Sequence, residues 1–409
     1  MAKTVMLAVI SIMLVVAIIL QPDAAFQASL QGLTVWWNIV FPGMLPFLVL
    51  FELIAAFGLA HAFGSLLQPL MGRLFKLPGE AAIAIALGWM GGFPAGPEAV
   101  ASLRKRKLVT KQQGQRLLAL AHMPNPLFMI VVIGAGFLHK PIVGTMLAAA
   151  VWLSAIWLLL LASLFIHEGG TENIHEPPSA STKQRISLLE RAAEALHLGR
   201  EQDGRSFGKA LGDAVSSSVQ KLMMIGGFMI FAAVLAKLTE PLFDPLLAYL
   251  ELNFLTQAFF EGHLGAYAAS IWDAPGTSTR LNAAVISAVL AWSGLSGILQ
   301  TGYAITGTDL KLLPFVAWRA AHAIHAFVFM FLLWKPITSL LRTLLPEEAV
   351  PAAAIPESLN IDPVAPVTWR VGDFPQLWQF SLTGCLLMAF LCLLLSLMLW
   401  PYRRTNRSL

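Results

Sequence analysis

Long uncharged apolar runs decide which folds are open to this chain. A helix needs about 20 mostly apolar residues to cross the hydrocarbon of a bilayer. Such runs recur at Thr4–Leu20, Leu33–Leu59, Leu117–Leu138, Ile142–Ile166, Leu211–Leu238, Leu312–Trp334 and Phe380–Trp400. Charged residues make up 12% of the 409 positions, against about 25% in a soluble domain. The chain is expected to be an all-α polytopic membrane protein. Its net charge of +4 suits a protein whose basic residues gather on the cytoplasmic side, and gives no reason to expect a nucleic-acid partner. Thr4–Leu20 behind Lys3 reads as an uncleaved anchor, since everything downstream is membrane-embedded too; a cleaved signal peptide would show the same run. Cys385 and Cys392 share one helix face in the last run and read as packing residues, with no disulfide or metal framework.

One apolar stretch is built from the wrong residues for a helix. Between Glu80 and Glu98 there is no charge, yet Gly88, Gly91, Gly92, Pro94, Gly96 and Pro97 crowd into "LGWMGGFPAGPEAV". Irregular backbone cannot face lipid, because each unpaired N–H or C=O costs several kcal/mol there. It survives beside protein or a water-filled cavity, so the run predicts a re-entrant hairpin over Pro78–Lys107 or a broken helix. Pro124-Asn125-Pro126 cuts a second run, and Pro42 and Pro46 interrupt another. His61–Leu77 and Pro241–Leu252 read as amphipathic segments at the interface. His167–Arg205 is a polar linker with a short helix around Ile186–Leu198, and Pro346–Pro375 is a Pro- and Ala-rich loop.

"LAWSGLSGILQ" around Gly294 looks like a counterpart of the tip at Gly92, each Gly-rich and uncharged at its centre. With Lys3 in the cytoplasm and both tips re-entrant, Arg73, Lys76 and Arg104–Lys107 fall inside, as basic residues should. The two halves then have opposite topology, the inverted-repeat plan of many secondary transporters. The same count leaves Arg403, Arg404 and Arg407 outside, against that bias. The organisation expected is 1–31 anchor, 32–166 first repeat, 167–206 cytoplasmic linker, 207–334 second repeat, 335–375 loop, and 376–409 a last span and tail.

Two tips meeting near the midplane would present helix-start N–H groups to an anion. The substrate-binding candidates are Gly91, Gly92, Phe93 and Gly96 at the first tip, Ser293, Gly294, Ser296 and Gln300 at the second, and Asn125, Lys221 and Arg319 on embedded helices. Arg319, the one formal charge between Lys311 and Lys335, could take a carboxylate in two-pronged fashion or sit in an ion pair with Glu261 or Glu52. Lys221 could meet an anion or snorkel to the interface. Glu52, Glu98 and Glu261 are candidates for coupling, with Glu98 and Gln300 following the two tips. His322 and His325 share a face, but no Cys, Asp or Glu lies nearby in sequence, and no metal or cofactor is expected. Arg104–Lys107 reads as a topology anchor on anionic lipid. No nucleotide loop, zinc-protease helix or nucleophile elbow is present, so an enzyme is not expected.

"WWNIVFPGMLPF", "GGFPAGPEAV", "NPLF" and "GLSGILQ" together resemble the sporulation integral membrane proteins of the YlbJ type, which carry nucleoside-recognition gate domains. The resemblance runs from about Gly32 to Trp334, with "FFEGHLG" at Phe259–Gly265 only approximating the family's Glu-containing turn. It implies a fold related to concentrative nucleoside transporters, with inverted repeats and re-entrant helical hairpins. It also implies a place in the outer forespore membrane and movement of dipicolinic acid out of the mother cell for the spore. A small planar dianion agrees with the anion site read from the residues, and Phe93 could lie against its ring. The alternatives are a structural or assembly protein of the spore envelope, with sporulation membrane proteins or copies of itself as partners, and a nucleoside permease.

Overall fold

A computed structural model describes residues 2–93, 95–165, 188–273 and 277–344, all of them helical or connecting. Five helices in it are long and apolar enough to cross a membrane: Pro22–Ala56, Pro141–Ser163, Phe207–Phe243, Thr279–Ala304 and Leu312–Ser339. The expected span Phe380–Trp400, its two cysteines, Pro346–Pro375 and most of the polar linker lie outside the described residues.

The chain begins with α1 (Ala2–Leu20), whose large apolar side chains are mostly exposed, as lipid contact requires. Next come α2 (Pro22–Val35) and α3 (Phe41–Ala56), joined through a π-helical turn at Trp36–Val40 into one continuous rod. Pro42 and Pro46 therefore do not cut this run. Pro42 falls where the π-helical turn passes into α3, and Pro46 is carried inside the helix. Trp36 fixes the rod to a later helix by donating its Nε1–H to the Leu222 carbonyl at 2.9 Å.

The short α4 (Leu59–Leu70) precedes a helical hairpin of α5 (Ala81–Gly91) and α6 (Ala95–Lys105). Its apex is Gly92, at φ +71°, a conformation open to glycine at no steric cost. The expected re-entrant turn is thus a helix–turn–helix. α5 buries Ala81, Ala82, Ala84 and Ala86, small residues that allow backbones to approach. Gly88 and Gly96 close the hairpin over the end of α7 (Lys111–Ala121), because a Cβ on either would overlap the Ala121 carbonyl. α7 starts with a capping box between Thr110 and Gln113 and stops at His122–Asn125, with helix resuming at Pro126. A π-helical segment, Phe128–Phe137, and α8 (Pro141–Phe165) follow.

After α9 (Leu188–Asp203), α10 runs unbroken from Phe207 to Tyr249. It carries Pro241 and Pro245, so Pro241–Leu252 is the end of a long helix and not a separate interfacial segment. A second hairpin follows, α11 (Phe254–Phe260) and α12 (Gly262–Ser270), packed on each other with Glu261 at the apex. α13 (Thr279–Trp292) and α14 (Gly294–Ala304) come next, then α15 (Leu312–Leu344).

Gly294 is therefore not at the apex of a hairpin. α13 and α14 form one span with a break at Ser293, and their lengths do not fold back on each other. The counterpart of the Gly92 tip is the Glu261 tip, and the counterpart of the Ser293 break is the His122–Asn125 break. Hairpin, interrupted helix and long helix occur in this order twice, over 81–165 and over 254–344.

Polar ties fix how the interrupted helices run. At one end Gln115 exchanges hydrogen bonds with the Lys311 backbone at 2.7 and 2.9 Å, and Arg104 grips Asp309 with two bonds of 2.8 and 2.9 Å. At the other end the Lys140 ammonium donates to Thr279 at 3.4 Å. The 111–140 stretch thus passes Thr279–Ala304 in the opposite direction. The first end holds Arg73, Lys76, Arg104–Lys107 and Lys111; the second holds Lys140 and Arg280.

Candidate functional site

Both hairpin tips and both breaks open onto one cleft. Gly91 and Phe93 come from the first tip, Asn125 and Phe128 from the first break, and Glu261 and His263 from the second tip. Ser293, Ser296, Gly297 and Gln300 come from the second break, with Met44 of α3 and Ile225 of α10 closing the sides. Ser293, Ser296, Gly297 and Gln300 are spaced so as to share one face of α14. The cleft is narrow: its room for water-sized molecules is about 20 Å³, and the wider space of about 400 Å³ includes open solvent.

The first break is satisfied by the chain itself. Asn125 accepts from the Leu127 N–H at 2.8 Å and the Phe128 N–H at 3.4 Å, capping the π-helical segment, and donates to the Met90 carbonyl at 3.2 Å. The closing carbonyls of α7 are also taken: Leu120 by the Trp89 indole at 2.8 Å, Ala119 and His122 by Arg319 at 3.3 and 2.7 Å.

Arg319 donates to the Ala291 carbonyl near the end of α13 as well, through Nε at 2.8 Å and through a terminal nitrogen. It is 1% exposed. A helix C-terminus carries roughly half a negative charge, so the two ends together offset about one elementary charge, that of the guanidinium. Its remaining contact is His322 Nδ1 at 2.6 Å. Arg can only donate, so the His322 proton lies on Nε2, which donates to the Val151 carbonyl at 2.8 Å with Ser154 beside it at 3.1 Å. His325 turns instead to the Ala321 carbonyl at 2.7 Å. Arg319 thus clamps two helix ends, pairs with neither Glu261 nor Glu52, and does not line the cleft. Lys221 is outside it as well, in an ion pair with Glu52, and Glu98 is exposed on α6. Gly92 packs on Asn125 and Gly96 on Ala121, behind the cleft wall.

His122, a residue that the sequence reading passed over, links the two breaks. Its Nε2 meets Ser293 Oγ at 3.1 Å and its Nδ1 meets Thr301 Oγ1 at 3.0 Å, while Thr301 donates to the Gly297 carbonyl at 3.0 Å. The network closes with a neutral ring that accepts from Ser293 and donates to Thr301. Phe93 stacks on this ring at 4.0 Å between centroids, so one aromatic face is already used. A signal existed: an imidazole just ahead of the Pro-Asn-Pro break. His263 was passed over too. It meets Glu261 Oε1 at 2.7 Å, while Glu261 Oε2 accepts the Leu264 N–H at 2.6 Å and caps α12.

The second break is left open. Ser293 sits at φ +70° and its side chain caps nothing in α14. Ser296 is 5% exposed, and among the described residues its hydroxyl has no hydrogen-bond partner.

A multi-helix membrane fold with two hairpin tips around a polar cleft is the class these features define. The Gate family of nucleoside-recognition domains matches residues 38–141, which hold the first tip and the first break. The sporulation integral membrane protein YlbJ of Bacillus subtilis is 33% identical over 352 residues, covering 82% of this chain and 84% of that protein. The chain belongs to the family of that sporulation membrane protein. No solved structure matches it.

Proposed function

We propose that the chain is an alternating-access transporter for a small organic dianion, dipicolinic acid, acting in the outer forespore membrane of a sporulating cell. The carrying observation is the convergence of both hairpin tips and both helix breaks on one polar, aromatic-walled cleft. The two element series are inverted repeats on this reading. Three crossings (111–140, α8 and α10) separate the hairpins, so they enter from opposite faces. The basic end, with Arg104–Lys107, is cytoplasmic. Membrane and sporulation context come from the family relationship. The substrate is supported by the uncapped α14 start and by the imidazole of His263.

One observation favours a second reading, a nucleoside permease. Among the described residues no Lys or Arg lines the cleft, and a neutral ring with polar edges would need none. Vesicles holding purified protein decide between the two. Uptake of labelled dipicolinate, not displaced by excess uridine, is the expected result; uptake of uridine alone would favour the permease.

A further inference from the structure

We infer that the start of α14 is a carboxylate seat: the N–H groups of Gly294, Leu295 and Ser296, with the Ser296 hydroxyl, take one carboxylate of the carried molecule. The inference rests on the transport reading above and assigns the donors of that site.

Two independent observations meet at this point. The first is the helix start itself. Gly294, Leu295 and Ser296 occupy the first turn of an eleven-residue helix, where an α-helix supplies no acceptor for its N–H groups. Ser293 gives them no side-chain cap, because its hydroxyl is engaged with His122. The π-helical segment and α12 also start at the cleft, yet Asn125 and Glu261 cap them.

The second is Ser296. Its side chain lines the cleft, is 95% buried by the 5% exposure that remains, and leaves its hydroxyl without a partner among the described residues. A buried hydroxyl in that state marks a ligand or water position. A carboxylate supplies acceptor oxygens for N–H and O–H donors together, and the helix dipole favours its charge. The nearest acidic group, Glu261, does not compete: its oxygens are held by His263 and the Leu264 N–H. Its backbone seals the seat from behind, since a Cβ on Gly294 would come within 2.6 Å of Glu261 Cα.

The test is binding to the full chain in detergent, with dipicolinate, benzoate and uridine as probes. Ser296→Ala should weaken both carboxylates about tenfold, as expected for one charge-assisted hydrogen bond, and leave the melting temperature unchanged; uridine, the uncharged control, should displace neither carboxylate. Ser296→Asp places a carboxylate of the chain's own in the first turn; it should abolish binding of both carboxylates and raise the melting temperature by a few degrees. Unchanged carboxylate affinity in Ser296→Ala, wild-type affinity in Ser296→Asp, or no carboxylate binding by the wild type would each overturn the seat. If the variants behave as expected but vesicles carry no dipicolinate, the seat stands and the transport reading fails.

Discussion

The two interrupted helices reach the same cleft by different means. The first break takes four residues, His122–Asn125, with Pro124 inside it and Pro126 opening the helix that follows, and is closed by its own sequence. Asn125 caps the next segment, Trp89 and Arg319 take the carbonyls left behind, and Gly88 and Gly96 lie over Ala121. The second break takes one residue, Ser293. Its carbonyl end is held by Arg319, but its N–H end is uncapped and Ser296 is unsatisfied. Irregular backbone at membrane depth must be paired by something. The first break is paired by protein, whereas at the second the start of α14 has no side-chain cap.

Arg319 belongs to both breaks, so its removal should have the largest effect. Arg319→Ala leaves the Ala291, Ala119 and His122 carbonyls without donors. At about 1–3 kcal/mol for each unsatisfied group, it should lower the melting temperature sharply or prevent recovery of folded protein. Arg319→Lys should recover only part, because an ammonium lacks the fork that spans two helix ends. Equal stability of wild type and Arg319→Ala would dissolve the link between the breaks.

Gly96→Val tests the sealing of the first break alone. Its side chain would meet the Ala121 carbonyl, and overpacking of this kind costs about 1–3 kcal/mol, read as a lowered midpoint in thermal unfolding. Asn125→Ala and Ser296→Ala then set the two breaks side by side. Loss of the Asn125 cap should cost about 1 kcal/mol, whereas Ser296→Ala should be neutral without ligand. Equal losses would erase the distinction.

The smallest effect is expected far from the breaks. Arg104 holds the Asp309 carboxyl below its ordinary value of 3.8 by hydrogen bonding. A depressed carboxyl stabilises the fold above its unfolded pKa, and the gain is lost as pH falls from about 3.8 through the lowered value. Asp309→Asn should therefore change thermal stability by under about 1 kcal/mol at neutral pH, and the two chains should converge in acid.

What the sequence made legible follows from how local each signal is. Glycine and proline act on their own backbone, so the Gly92 tip and the Pro124-Asn125-Pro126 break could be placed without knowing the fold. Glu261 carried no periodic mark of a tip, since its flanking helices have only seven and nine residues; the one pointer was the approximate likeness of "FFEGHLG" to a Glu-containing turn of the family. Gly294 resembled Gly92 because both take positive φ, but the chain turns back at one and runs on at the other. Arg319 was visible as a charge in an apolar run; apart from His322, its partners are backbone carbonyls, which leave no mark in sequence. The Lys221–Glu52 pair depends on how α3 lies along α10, a register no local pattern encodes. Gly91, Phe93, Asn125, Glu261, Ser293, Ser296 and Gln300, singled out in sequence, do share the cleft.

The central claim is that the carried molecule passes through the cleft at the open break. Its most direct test is Ser296→Cys, with Cys385 and Cys392 changed to serine, reconstituted in vesicles and alkylated with a maleimide. Dipicolinate should slow the alkylation, and uptake should stop in step with the fraction of chains labelled. Full labelling at Cys-substituted 296 with uptake undiminished would contradict the account.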